Sequence, residues 1–228
     1  MKCTMKHIGQ GLVALLITLL CTVNVRSQQV VTFKQFVSKQ HTLLHECDLI
    51  FVVNNAGNAI TESTQAHGDW PIDHVAVFHR DSNGSPCVIQ AVHKGVCLEP
   101  LDSLIAEAAT DGHTPMLLIG RVTGVDTIAT IKKCLSFVGK PYDHYFAPSD
   151  SAIYCSELVQ KSFIDAKGHL IFEPIAMSFH GPDGVILPYW TEHYRRIGSR
   201  VPEGAPGTNP AELSRRPQVA LLYLVKAL

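Results

Sequence analysis

Beyond residue 28 the chain alternates between short apolar runs and longer segments with a helical repeat. Phe33, Phe36, Val37, Leu43 and Leu44 recur at roughly helical spacing and predict a helix over 31–46. "CDLIFVV", closed by "NNAGN", reads as a strand and a turn, and the polar stretch 60–70 as a surface loop. The runs "DHVAVFHR" and "PCVIQAV" flank "DSNG", a hairpin signal, and "HKGV" adds a tight turn before a short strand around 96–98. "LDSLIAEAA" predicts a brief helix and "PMLLIGRV" a strand. Ile128, Ile131, Leu135 and Val138 fall at i, i+3, i+7 and i+10, an amphipathic helix over 126–139 stopped by Gly139 and Pro141. A further helix is expected over 154–168, burying Leu158, Val159, Phe163 and Ala166 and ended by Gly168. The segment 187–197 reads as a helix, 201–210 as a turn-rich connector, and "QVALLYLVKAL" as a closing strand. Helices packed on a largely antiparallel sheet, an α+β fold, is the expected architecture.

The first 27 residues follow another pattern. "MKCTMKHIGQ" supplies lysines ahead of "GLVALLITLLC", an apolar run of signal-peptide length and short for a membrane span. Val25 and Ser27 stand at −3 and −1 of a cleavage after Ser27. Residues 1–27 are expected to be a signal peptide and 28–228 one exported domain, periplasmic or extracellular. An uncleaved anchor is the alternative, as is a lipid on Cys21, although Leu20 is bulkier than such sites take. No stable membrane insertion is expected once the signal is removed.

Composition adds exclusions. The 228 residues are 46% hydrophobic with 19 basic and 20 acidic side chains, enough for one domain with a core. Near-zero net charge and the lack of a basic stripe give no case for nucleic acid. Of seven cysteines, Cys47, Cys87, Cys97, Cys134 and Cys155 follow the leader. Five is odd, so within a monomer at least one thiol is unpaired.

Cys155 is the thiol with chemistry around it. Ser149, Asp150 and Ser151 read as capping residues, which puts Cys155 at the first turn of its helix. Free N–H groups and the positive dipole end there favour a thiolate and can hold an oxyanion. Among 12 histidines, His41 and His45 sit at i, i+4 near Cys47, a zinc alternative without an HExxH pattern. His79, His93, His113, His144, His169, His180 and His193 lie near turns or polar flanks, where a solvated imidazole is the ordinary reading. His74 instead opens an apolar strand, where each ring nitrogen needs a partner. It is either a base for Cys155 or a satisfied core histidine. Gln90, polar amid "VIQAV", is the candidate to orient it, with His93 as rival and a solvent-facing Gln90 as the alternative.

"DLIF", "IDHVAVF", "VIQAVHKGVCLEPL", "GKPYDHYFAPSDSAIYCSELV" and the tail "GTNPAELSRRP", in that order, resemble the YiiX/YaeF branch of the NlpC-type cysteine hydrolases, permuted papain-like amidases. The resemblance covers about Cys47 to the C-terminus. It implies a circularly permuted papain-like fold, a sheet or half-barrel packed against helices, with the histidine strand ahead of the cysteine helix. It makes Cys155 the nucleophile and His74 the base, and puts the orienting residue at Gln90, where the family often carries glutamate. It also places Tyr142 and Asp143 in the cleft and Tyr154 beside the nucleophile. The implied activity is a thiol amidase acting on cell-wall peptides, isopeptides or N-acyl lipids, with no cofactor and no metal. A catalytically weak peptide- or lipid-binding module is the alternative, and a lecithin:retinol acyltransferase-like enzyme a more distant one.

Overall fold

The computed structural model describes residues 28–64, 70–109 and 115–227. The expected signal peptide, Cys21, His113 and the side chain of His41 lie outside the described residues. The strands are β1 (Gln29–Thr32), β2 (Leu49–Val53), β3 (Ile72–Arg80), β4 (Pro86–Val92), β5 (Gly95–Pro100), β6 (Met116–Val122), β7 (Ile175–Ala176), β8 (Pro206–Gly207) and β9 (Val219–Lys226). Seven of them form one sheet in the order β1-β9-β6-β2-β3-β4-β5, antiparallel except for the β1–β9 pair, while β7 and β8 form a small ribbon. The large sheet is open, with β1 and β5 as its edges.

Period-two geometry sends alternate side chains of each strand to opposite faces. Leu49, Phe51, Val75, Val77 and Ile89 point to one core, shared with α4 (Thr127–Ser136), α5 (Cys155–Ser162) and α7 (Pro210–Ser214). Ile50, Ala76, Phe78 and Val88 point to the other, under α1 (Phe33–Leu43) and α3 (Leu101–Ala108). Burial on both faces is why these strands read as continuous apolar runs. A third cluster joins Tyr154, Met177 and Phe179 to α6 (Pro188–Arg196).

Several expected boundaries move, each for a local reason. The helix expected over 31–46 begins at Phe33, because residues 29–32 pair with β9 and Thr32 caps the helix, its hydroxyl accepting from the Gln35 N–H at 3.1 Å. The loop expected over 60–70 carries α2 (Ala59–Thr64), opened by Asn58, whose Oδ1 accepts from the Ile60 and Thr61 N–H groups. The helix expected to reach 168 ends at Ser162, where the Ile164 N–H turns to the Thr130 hydroxyl at 3.2 Å. The connector over 201–210 contains β8 and leads into α7, capped by Asn209.

α4 departs most from its pattern. Ile128 is 83% exposed, and Leu135 and Val138 also face outward, while Thr130, Cys134 and Phe137 are buried. Small Thr130 and Cys134 let α4 approach α5 closely; of the predicted stripe only Ile131 packs against the core, and Ile128, Leu135 and Val138 are left outside.

Two features fix the frame around the cleft. Arg121 on β6 grips buried Asp48 with two bonds, Nε to Oδ1 at 2.8 Å and Nη2 to Oδ2 at 2.7 Å. Replacing Arg121 by Met leaves Asp48 charged and unpaired, and is expected to cost about 3 kcal/mol in a urea titration; a loss below about 1 kcal/mol contradicts this. The second feature is a parting of strands. β3 and β4 pair from Arg80–Pro86 to Val77–Ile89 and no further, though β3 runs on to Ile72 and β4 to Val92. The sheet is notched there, and α5 meets β3 at that notch.

Candidate active site

Cys155 is the first residue of α5, after Tyr154 as N-cap, and is buried. Three backbone N–H groups face its sulfur, those of Val75, Ser156 and Cys155 itself. They favour a thiolate, as the helix-start position predicts, but burial outweighs them and pushes the thiol up to about 11. The resting group is therefore a neutral thiol. Ser149, Asp150 and Ser151 do not cap the helix; Ser149 and Asp150 reach it through Lys161, which bonds the Ser149 carbonyl, the Asp150 carboxylate at 2.6 Å and Glu157 at 2.8 Å.

The Val75 contact sets the sulfur against the peptide that joins His74 to Val75. The His74 ring meets Gln90 across the notch, Nε2 to Oε1 at 2.7 Å. Gln90 is fully buried, and its Nε2 donates to Glu99 Oε1 on β5 at 2.8 Å. A carboxylate accepts only, so this bond fixes which end of the amide faces His74. Nε2 of His74 must then carry the proton, and Nδ1 is left as the acceptor. Burial pushes Glu99 up, yet bonds from Cys97, Lys94 and Gln90 outweigh it and hold the carboxyl below its usual range. Burial lowers the His74 imidazole, against opposing contributions from Gln90 and Asp73. His93, the rival orienter, stacks on His144 at 5.7 Å instead.

Two adjoining chambers open here, one of about 480 Å³ containing Cys155 and one of about 780 Å³ containing His74. Asp73, Tyr142, Phe146 and Trp190 line both. Tyr142, expected in the cleft, is thus shared by both chambers. Tyr154 lines the cysteine chamber, with its hydroxyl accepting from the Thr208 N–H at 3.1 Å and anchored there. Asp143 lines neither chamber. Both its oxygens accept within its own loop, from the Tyr145 N–H at 2.8 Å and the Ala147 N–H at 2.7 Å, so it shapes the segment that carries Tyr142. That segment leans on β5: Gly95, at φ +101°, touches the Lys140 carbonyl where a Cβ would clash.

Glu99 and Asp73 are the residues that sequence reasoning passed over. Glu99 had a signal, because alternation puts it two positions beyond Cys97, which pairs with Gln90. Asp73 stood in plain view beside His74. Among the described residues, no three His, Cys, Asp or Glu side chains gather as a metal-holding group. Cys47 instead directs its thiol at the Thr127 carbonyl at 3.7 Å, and all five described cysteines are free.

Residues 43–223 match the family model of the permuted papain-like amidases, YaeF/YiiX, C92 family. An uncharacterized protein, YiiX of Escherichia coli strain K12, is 29% identical over 130 residues, which cover 55% of this chain and 60% of that protein. The chain thus spans less than two thirds of that relative's length. The fold is similar to a crystal structure described as that of the metalloprotein YiiX from Escherichia coli O157:H7, with a TM-score of 0.61 at 24% identity over 78% of this chain and 98% of that one.

Proposed function

The chain belongs to the C92 family of permuted papain-like amidases, and on that premise we propose that it hydrolyses an amide bond with Cys155 as nucleophile and His74 as general base. The observation that carries this reading is the continuous line from His74 Nε2 through Gln90 to Glu99, beside a thiol at the start of α5. Nδ1 of His74 takes the thiol proton as the sulfur attacks the carbonyl carbon. The oxyanion that forms is within reach of the Cys155 N–H. The imidazolium returns its proton to the leaving amine as the C–N bond breaks, and water then releases the acyl group from sulfur. Gln90 keeps the proton on Nε2, and Glu99 keeps Gln90 from flipping.

Peptides, isopeptides and cell-wall fragments are the proposed substrates; the apolar walls also suit an N-acyl lipid. The N-terminal pattern supports action outside the cytoplasm.

A neutral pair at rest has a pH signature. His74 works as a base only when unprotonated, and its value is lowered from the usual 6.5. Hydrolysis should therefore rise through a limb below about pH 6.5 and stay level to about pH 9. Alkylation of Cys155 by iodoacetamide needs the thiolate, whose proton leaves only near 11, so it should keep climbing across that same plateau. Alkylation that levels off at neutral pH would mean a preformed thiolate–imidazolium pair and contradict the scheme.

A further inference from the structure

On the outer side of α4, Ile128, Lys132 and Leu135 fall at i, i+4 and i+7, one face of a helix, and all three are exposed. Val138 carries the apolar stripe past the end of the helix. The core does not call for this stripe, because Thr130, Cys134 and Phe137 already form the buried face. Beside it runs a groove of about 740 Å³, between Ile131 and Leu135 on α4 and the His79–Glu46 pair. No residue of the groove lines either active-site chamber, and His79 lies five residues along β3 from His74, about 17 Å at strand spacing. The charges around the stripe are of one sign. From Thr127 to Tyr142 the chain holds Lys132, Lys133 and Lys140 and no carboxylate. Lys132 stands within the stripe, and Lys133 is exposed on its flank, over the Phe137 ring at 5.1 Å. The surrounding carboxylates are engaged. Asp126 accepts from the Ala129 N–H at 3.0 Å, Glu46 from the Arg80 N–H at 2.9 Å while it meets His79, and Asp150 pairs with Lys161 at 2.6 Å.

We propose that the outer face of α4 docks the protein on an anionic lipid bilayer, independently of the amidase reading. Ile128, Leu135 and Val138 enter the boundary between headgroups and acyl chains, and Lys132 and Lys133 meet the acidic headgroups. Charge chooses this occupant. A second copy seated here about a two-fold axis would set lysines against lysines, and three exposed apolar side chains fall well short of the roughly 800 Å² per partner that a stable dimer buries. The attachment is peripheral and reversible: among the described residues no helix is long and apolar enough to cross a membrane. It sets the protein on the surface by the side of α4 opposite α5, so the cleft is not the part that is covered.

Co-sedimentation of the full-length chain with lipid vesicles tests this without substrate or turnover, so its failure is separate from failure of the amidase reading. Vesicles of phosphatidylcholine alone are compared with vesicles in which about a third of the lipid is phosphatidylglycerol. At low salt the wild type is expected to favour the anionic vesicles by about tenfold or more, and to lose most of that preference in about 0.5 M salt. Lys132→Gln combined with Lys133→Gln should bring the preference within about threefold. Ile128→Gln, at a position 83% exposed, should weaken binding to the anionic vesicles about tenfold and leave the melting temperature unchanged. Ile128→Trp should strengthen it about threefold, because tryptophan favours the membrane interface. Any contribution of the N-terminal apolar run is common to all these variants and cancels in the ratios. The proposal is overturned if the lysine variant keeps the wild-type preference or if Ile128→Gln binds as the wild type does. It is overturned equally if the wild type binds soluble polyglutamate as tightly as the anionic vesicles, which marks an acidic protein partner. A wild-type dimer that Ile128→Gln dissociates would make the stripe an interface between copies and overturn it too.

Discussion

Cys155→Ala is expected to lower amide hydrolysis by about 10⁴-fold or more while the protein stays folded. The sulfur makes the covalent bond to substrate in the proposed scheme, and no second thiol lines either chamber. The other four described cysteines lie elsewhere: Cys47 points to Thr127, Cys87 sits on β4 opposite His79, Cys97 points to Glu99, and Cys134 is sealed between α4 and the core. The structural cost is confined to one small buried side chain, about 1–2 kcal/mol, so circular dichroism and the melting temperature should change little. His74→Ala should cost a comparable factor. Because the two groups act on one proton, the double variant should be scarcely worse than either single one. Losses that multiply would mean that Cys155 and His74 contribute independently, and hydrolysis that survives Cys155→Ala would remove the thiol from the mechanism.

The second large effect concerns Gln90. Glutamate at this position looks like a repair, since a carboxylate would polarise His74 more strongly than an amide does. The structure argues otherwise. Gln90 donates to Glu99 at 2.8 Å, so Gln90→Glu sets a buried carboxylate against the half-buried one of Glu99 with no donor between them. The variant should lose about 3 kcal/mol at pH 7. One member of the pair must then hold a proton, its value raised, so the deficit should shrink as pH falls through that raised value and grow above it. Adding Glu99→Gln reverses the bond: the amide introduced on β5 donates to the carboxylate introduced on β4, and the charge now touches His74. This double variant should regain most of the stability and move the acid limb of the pH–rate profile up by about one unit or more. Equal stability of Gln90→Glu and wild type in urea would show that Glu99 does not hold Gln90 in solution.

The same bond explains what sequence reasoning could see of this site. Cys155, His74 and Gln90 were legible because each breaks a pattern: a thiol at a helix start, a histidine opening an apolar strand, an amide within "VIQAV". Glu99 breaks no pattern. On an edge strand a solvated glutamate is ordinary, and only the β4–β5 register turns it toward Gln90. Asp143 failed in the other direction, because a motif places a residue in a segment but does not say which way a carboxylate turns. The reading of Cys155 reactivity had the right donors and the wrong balance, since the depth of burial is a property of the packed fold. The sheet was legible for a related reason. Two-sided burial leaves continuous apolar runs, whereas α4 hides Thr130 and Cys134 against α5 and shows Ile128 to water, so its periodicity pointed to the wrong face.

Where β3 leaves β4, the Val75 amide faces the Cys155 sulfur and has no pairing residue on β4. In a ¹H–¹⁵N spectrum that one resonance is therefore wired to the state of Cys155. Ionisation, alkylation or acylation of the thiol changes the atom the amide proton faces, while Val77, two residues on, keeps its β4 partner Ile89. A titration of Val75 would follow the nucleophile directly, with no substrate and no assay of turnover.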